Sequence, residues 1–134
     1  MKKKVYIAGP ITGDPKYKEK FSAVSEKLKA LGLDPVNPAE APEGLTYKEY
    51  IDRGLKLLME CDIICCITTE RNPNKKSWPP SSKGENLEWH YAMTVGIPLM
   101  KAFAMRSEKG AKWNVEIPMC WDGMFITEKE EKND

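Results

Sequence analysis

The stretch Ile63–Ile67 reads IICCI, five consecutive apolar residues that follow Asp62 and precede a long polar segment beginning at Thr68. An apolar run of this length, rich in β-branched residues, is typical of a strand that is buried on both faces. Such strands lie in the centre of parallel sheets, which helices cover on either side. The run therefore predicts an α/β fold in which residues 63–67 form a central parallel strand.

Segments of strand character and segments of helical periodicity alternate on both sides of this run. Further strands are predicted at Val5–Ala8, Leu33–Val36 and Ile97–Ala104, where β-rich runs meet glycine or proline turn residues. Between the strands, apolar residues recur at the three- and four-residue spacing of amphipathic helices. These stripes are Phe21, Val24, Leu28 and Leu31; Tyr47, Ile51, Leu55 and Leu58; and Leu87, Tyr91, Ala92 and Val95.

The alternation predicts right-handed β-α-β crossovers and a flavodoxin-like three-layer sandwich. We expect a parallel sheet of four to five strands in the order 2-1-3-4, with residues 113–117 as the fifth strand after the fourth. A chain of 134 residues suits one domain. We expect this domain over residues 1–127, followed by a charged, disordered tail at 128–134.

The composition argues against several classes of function. With 21 Lys and Arg against 20 Asp and Glu, the net charge of +1 gives no field that would favour a nucleic acid polymer or a membrane surface. The apolar run near the N-terminus ends at Gly9-Pro10, short of the roughly 7–15 residues of a signal peptide, so we expect a cytoplasmic protein. The four cysteines form no C-x-x-C motif, which favours reduced, buried thiols over disulfides or a metal site.

Ligands of such sheets bind beyond the carboxyl ends of the strands, where the strand order reverses. Here that crevice lies between the loops after the first and third strands, which contain Gly9–Gly13 and Thr68–Glu88. The first loop lacks both G-x-G-x-x-G and the lysine of a P-loop, so dinucleotide and P-loop sites are not favoured. Its glycines either let backbone amides approach a ligand or simply form a tight turn.

The end of the second loop, Ser82 to Glu88, contains the start of the third helix. Free amides and the Ser82 hydroxyl at a helix N-terminus attract an anion. Glu88 lies one turn further, about 100° around the helix from Leu87, which we expect to face the core together with Tyr91. Glu88 can then face the crevice, and the helix dipole should favour the ionised form that a nucleophile needs. A solvated first-turn glutamate is the alternative interpretation.

Three motifs occur in order on these elements: VYIAGP at residues 5–10, Cys61-Asp62 before the third strand, and Ser82-x-Gly84-x-x-x-Glu88. Together they resemble the nucleoside 2-deoxyribosyltransferase-like superfamily, over roughly residues 4–104. The likeness is greatest to small phage and bacterial members, with the 2'-deoxynucleoside 5'-phosphate N-hydrolases as the nearest characterised relatives. It implies a flavodoxin-like fold and a homodimer or larger homo-oligomer. The chemistry requires neither a metal nor an organic cofactor.

The resemblance also implies roles for individual residues. Glu88 matches the nucleophile that forms a glycosyl-enzyme with the anomeric carbon; water then gives hydrolysis and a second base gives transfer. Ser82 and Gly84 match the positions that hold a 5'-phosphate, and a serine in place of the transferases' aspartate favours nucleoside monophosphates. Tyr6 matches a tyrosine beside the ligand. The other substrate-binding candidates are Gly9, Pro10, Ile11, Thr12, Gly13 and, for stacking on the base, Trp78.

Two positions depart from the pattern of the family. Gly54 stands where relatives carry an aspartate, and Asp52 is the nearest carboxylate that could act as the auxiliary catalytic group. Thr12 replaces an arginine of the phosphate hydrolases. We therefore predict cleavage or deoxyribosyl transfer at the N-glycosidic bond of (deoxy)nucleoside 5'-monophosphates; alternatively, the chain is a non-catalytic nucleotide-binding or sensing module. The sequence leaves the base, the sugar and the acceptor open.

Overall fold

The structure, a computed structural model, describes residues 2–11, 15–68, 82–106 and 112–117 of the chain. In this part of the chain, five strands form one sheet in the order β2-β1-β3-β4-β5, which confirms the predicted flavodoxin-like order. The strands are β1 (Lys4–Ala8), β2 (Asp34–Val36), β3 (Ile63–Thr68), β4 (Leu99–Arg106) and β5 (Trp113–Glu116).

The helices pack on both faces of the sheet, as the alternation of segments predicts. They are α1 (Tyr17–Ala30), α2 (Tyr47–Met59) and α3 (Lys83–Val95), with a short 3-10 turn at Pro38–Glu40. A capping box begins α2, because the Thr46 hydroxyl accepts from the Glu49 amide while the Glu49 carboxylate accepts from the Thr46 amide. None of the helices among the described residues is long and apolar enough to cross a bilayer.

The fifth strand runs in the opposite direction to its neighbour. β1, β2, β3 and β4 pair in parallel, whereas β5 pairs antiparallel with β4 from Phe103 opposite Glu116 to Arg106 opposite Trp113. The prediction of a parallel fifth strand is therefore wrong. Only residues 107–112 connect β4 to β5, and a parallel crossover needs a dozen or more residues.

The central strand divides the core into two layers, because successive side chains of a strand point to opposite faces. Residues 63–67 are buried throughout, as expected of a central strand. Cys65 and Ile67 face α1, whereas Ile64 and Cys66 share their face with Tyr6, α2 and α3. Cys61, Cys65 and Cys66 are free, buried thiols, and Cys120 lies outside the described residues.

The orientation of α3 differs from the one that its apolar stripe predicts. Leu87 and Val95 are about half exposed, whereas Glu85, Glu88 and Ala92 are buried. The prediction that Leu87 faces the core is therefore wrong, and Tyr91 is only partly buried. Because two of the buried positions hold glutamates, the apolar pattern of α3 does not mark the side that packs on the sheet.

Candidate functional site

A cleft of about 600 Å3 opens at the carboxyl ends of β1 and β3. The loop after β1 forms one side, the first two turns of α2 form another, and the start of α3 forms the third. It lies where the strand order reverses, between β1 and β3. The residues that line it are Gly9, Ile11, Leu45, Thr46, Tyr47, Tyr50, Ile51, Ser82, Lys83, Gly84, Glu85 and Glu88.

Ser82 is the N-cap of α3 and lies at the wall of the cleft. Its hydroxyl accepts from the Glu85 amide at 3.4 Å, and its carbonyl accepts from the Asn86 amide at 2.9 Å. The first amides of a helix have no acceptor within the helix, so they remain able to bind a ligand. Gly84 lies close to α2, since a Cβ there would be 3.3 Å from Cδ1 of Ile51. The start of α3 thus presents amides that suit an anion to a confined space.

Glu88 lies on the first turns of α3 with its carboxylate in the cleft, and it is only 6% exposed. The hydroxyl of the fully buried Tyr6 donates a hydrogen bond to Oε2 of Glu88. Burial raises the pKa of Tyr6 far above its usual range, and the neighbouring Glu88 raises it further, so Tyr6 stays neutral and remains a donor. The sheet and α3 therefore fix the position of this carboxylate from two directions.

The protonation of Glu88 differs from the prediction made from the helix dipole. Burial raises the pKa of Glu88 from 4.5 to about 7, although the hydrogen bond from Tyr6 lowers it. A helix dipole is worth about 0.3–1 kcal/mol at an exposed site, less than the cost of taking this carboxylate out of water. Burial therefore favours the neutral form of Glu88 more strongly than the helix dipole favours the ionised form.

Glu85 is a second carboxylate in the same cleft, and sequence reasoning missed it. It is 3% exposed, and its Oε2 has no hydrogen-bond partner among the described residues. Burial raises the pKa of Glu85 to about 8, and the charge of Glu88 contributes to this shift. Residues three apart share a helix face. The spacing of Glu85 and Glu88 was therefore a signal that both glutamates face the cleft.

Gly54 lies at a point of α2 that leaves little space for a side chain. A Cβ at this position of α2 would lie 2.7 Å from the Tyr6 hydroxyl and 2.8 Å from Oε2 of Glu88, closer than carbon atoms approach oxygen in proteins. The backbone of α2 thus packs directly against the Tyr6–Glu88 pair, and a side chain at 54 would have to displace this pair. Asp52 does not replace it, because its exposed carboxylate pairs with Lys56 at 3.0 Å on the surface of α2.

An aromatic wall on α2 was also missed, because Tyr47 and Ile51 had been assigned only to an apolar stripe and Tyr50 had no assigned role. Tyr47, Tyr50 and Ile51 line the cleft, and Tyr47 is 60% exposed. The Tyr50 hydroxyl donates to the carbonyl of Pro38 at 3.5 Å, while burial and the charge of Glu88 raise the pKa of Tyr50 to about 12. The first turns of α2 therefore give the cleft an apolar, aromatic side.

The structure brings many of the predicted site residues together, but not all of them. Pro10, which is half-buried, follows β1 without lining the cleft, and Asp52 lies outside it. Thr12, Gly13 and Trp78 lie outside the described residues. Within the described ranges, no group of three or more His, Cys, Asp or Glu side chains is arranged to hold a metal ion. The residues that do line the cleft or contact one that does are Tyr6, Gly9, Ile11, Ser82, Gly84 and Glu88.

Comparison with solved structures supports the fold. One similar structure is a 2-deoxyribosyltransferase from the psychrotolerant bacterium Bacillus psychrosaccharolyticus, described as a biocatalyst for the synthesis of antiviral and antitumoral nucleosides. The two chains are 20% identical with a TM-score of 0.52, over 73% of this chain and 70% of the other. The resemblance to the deoxyribosyltransferases is thus confirmed for the fold.

Comparison of the sequence with known families gives the membership of the chain. No curated protein matches it. The profile of a family described as a domain of unknown function, DUF4406, matches residues 3–101, which is most of the chain. The protein therefore belongs to the DUF4406 family.

Proposed function

We propose that this protein cleaves the N-glycosidic bond of (deoxy)nucleoside 5'-monophosphates, or transfers their deoxyribosyl group, with Glu88 as the nucleophile. The observation that carries the proposal is the Glu88 carboxylate, buried in the cleft, held by Tyr6, and placed just beyond an open helix N-terminus. The shared fold with a 2-deoxyribosyltransferase supports it.

The start of α3 is suited to hold the 5'-phosphate. Ser82 lies six residues before Glu88, which is about 9 Å along a helix axis. A ribose 5-phosphate unit can bridge such a distance, with its phosphate on the amides of Ser82–Gly84 and its anomeric carbon near Glu88. The exposed Lys83 adds a positive charge at the same end of the cleft. An aspartate at position 82 would repel the phosphate, whereas the serine does not.

The aromatic wall of α2 is suited to hold the base. Tyr47 and Tyr50 offer flat apolar surface with polar hydroxyl groups, a combination that is common where flat ligands bind. The Tyr47 hydroxyl lies 3.8 Å from the position of a Cβ at Gly84, and Tyr50 is one turn further along α2. A base packed against Tyr50, with its phosphate at the start of α3, would bring the glycosidic bond toward Glu88.

The chemistry follows from the arrangement of Glu88 and Tyr6. Because the Tyr6 hydroxyl occupies Oε2, Oε1 is the oxygen that can attack the anomeric carbon. Its lone pair forms a glycosyl ester as the C–N bond breaks, and the electron pair of that bond leaves with the base, which takes up a proton. Water or a second base then attacks the same carbon and releases Glu88, as in retaining glycosidases.

A non-catalytic nucleotide-binding module is the second candidate. The closed position at Gly54 favours it, since the carboxylate that relatives carry there is absent and Asp52 does not substitute for it. The anion-binding start of α3 and the aromatic wall would be retained for recognition alone. A homo-oligomeric state and a cytoplasmic location are further predictions from the sequence that belong with either function.

Base release separates the two candidates. The protein is incubated with each deoxynucleoside 5'-monophosphate and with the matching nucleosides, and free base is measured by chromatography. We expect release from the monophosphates, a loss on the order of a thousandfold or more in Glu88→Gln, which removes the nucleophile, and normal rates in the exposed α3 control His90→Ala. Nucleotide binding without release by the wild type would favour the binding module, and neither binding nor release would contradict both.

A further inference from the structure

The role of Glu85 is not explained by the fold or by the nucleophile. Its side chain lines the cleft, yet it is almost completely buried, and its backbone amide already serves the N-cap of α3. Oε2 of Glu85 lacks a hydrogen-bond partner among the described residues. Buried polar atoms in folded proteins are nearly always satisfied, and an exception at a cleft wall points to a ligand.

The described charged groups around Glu85 do not give it a structural partner. Lys20 of α1 lowers its pKa by charge, but burial and the neighbouring Glu88 raise it more strongly. On β3, the buried thiol of Cys66 has its own pKa raised, partly by the charge of Glu85. The side chain is thus held as a neutral carboxylic acid near pH 7, a form that can give a proton to a ligand.

We propose that Glu85 is the acid that protonates the departing base, in the place of the carboxylate for which Gly54 leaves no room. The inference rests on the function proposed above. On a helix, Cβ atoms three residues apart are about 5–6 Å from each other. Retaining glycosidases hold the carboxyl groups of their nucleophile and acid about 5–5.5 Å apart, a separation that two glutamate side chains starting from such Cβ positions can reach.

Glu88 and Glu85 act together in the proposed step. Oε1 of Glu88 forms a bond to the anomeric carbon, the C–N bond breaks, and its electron pair goes to the base. The carboxylic acid of Glu85 gives its proton to the base and becomes a carboxylate. That carboxylate then takes a proton from the attacking water, whose oxygen bonds to the anomeric carbon while the ester bond to Glu88 breaks. Both glutamates return to their initial states.

The test compares two substrates that differ in their need for a proton. The base of dGMP needs protonation to leave, whereas the base of 7-methyl-dGMP already carries a positive charge and leaves without it. In Glu85→Gln we expect base release from dGMP to fall about 10²–10⁴-fold, the usual contribution of an acid or base, while release from 7-methyl-dGMP stays within about threefold of wild type. Spontaneous release from each nucleotide is subtracted, and Glu88→Gln is expected to lose both reactions.

The ratio of the rates of base release from dGMP and 7-methyl-dGMP within one preparation does not depend on the fraction of protein that is folded. A variant that folds poorly can therefore still be tested. An equal loss for both substrates, or no loss for either, would overturn the role of Glu85 while leaving the proposed function standing. If the wild type releases base from neither nucleotide, the proposed function is wrong, and the assignment of Glu85 falls with it. Partial recovery of the dGMP rate in Glu85→Asp would support an acid at this position.

Discussion

Replacing Gly54 by alanine adds one methyl group at the most crowded point of the site. Its Cβ would start 2.7 Å from the Tyr6 hydroxyl and 2.8 Å from Oε2 of Glu88, so both oxygens must move by at least 0.6 Å to reach an ordinary contact of 3.4 Å. Tyr6 is rigid and fully buried, and Glu88 is nearly so. Overpacking of this kind costs about 1–3 kcal/mol. The gain in helix propensity from glycine to alanine is at most about 1 kcal/mol.

We therefore expect Gly54→Ala to be destabilised by about 0–2 kcal/mol, measured by denaturant unfolding. The effect on base release should be larger, because a displacement approaching 1 Å of a catalytic group can cost about 100-fold in rate. Gly54→Asp, which introduces the residue that the resemblance implies at this position, should be slower still, because it adds a second charge against Glu88. Lys56→Ala, an exposed change on the same helix, should alter stability by less than about 0.5 kcal/mol.

Two results would contradict this reasoning. If Gly54→Ala is more stable than wild type by about 1 kcal/mol, the methyl group has found space and only helix propensity acts. If Gly54→Asp releases base faster than wild type, the position is open to a carboxylate and the close approach of α2 is not a feature of the working site. Either result would also remove the reason for seeking the second carboxylate elsewhere.

Three further predictions concern the charged groups of the site. Tyr6→Phe removes the hydrogen bond that lowers the pKa of Glu88. The pH at which kcat/KM is half-maximal on the acid side should therefore rise above its expected value near 7. An unchanged pH profile would contradict the assignment of Glu88 as the group that must ionise. The pKa of Glu85 is raised from 4.5 to about 8, so the folded protein binds this proton more tightly than the unfolded chain does. The resulting contribution to the free energy of unfolding, at most about 5 kcal/mol, is complete below pH 4.5 and is lost as the pH rises through 8. Melting temperatures from pH 5 to 9 should therefore fall less steeply in Glu85→Gln than in wild type, and parallel curves would show that Glu85 is not the titrating group. Asp52→Asn breaks a surface ion pair with Lys56 and should change the free energy of unfolding by less than about 0.5 kcal/mol. The rate of base release should match that of wild type, and a large loss would show that Asp52 takes part in catalysis.

The sheet could be predicted because its central strand is apolar on both faces. A central position covered by helices buries residues 63–67 on both sides, and the alternation of strands and helices indicates parallel crossovers. The direction of β5 was missed, although the short connection after β4 already excludes a parallel crossover. The number of residues between β4 and β5 predicts the direction of β5 better than the alternation of strands and helices that precedes it.

The site could be predicted only in part, because its position depends on topology and its chemistry depends on burial. Ser82 and Glu88 were identified from the start of α3 and from the resemblance to known proteins. Glu85 was missed because apolar periodicity assigns the inner side of a helix to apolar residues, while the inner side of α3 holds two carboxylates. The shifted pKa of Glu88 was missed for a related reason: desolvation depends on how closely α2 and β1 approach, which a linear pattern does not contain.

Gly54 and the two glutamates are parts of one arrangement. The absence of a side chain at 54 lets α2 approach Tyr6 and Glu88, and this approach helps to remove water from the Glu88 carboxylate. Desolvation raises the pKa of both glutamates, and their mutual repulsion favours a state in which one is ionised and the other protonated. That state is the one that a nucleophile paired with an acid requires. A larger residue at 54 would push Tyr6 and Glu88 out of this arrangement, so the role proposed for Glu85 depends on the absence of a side chain at this point of α2.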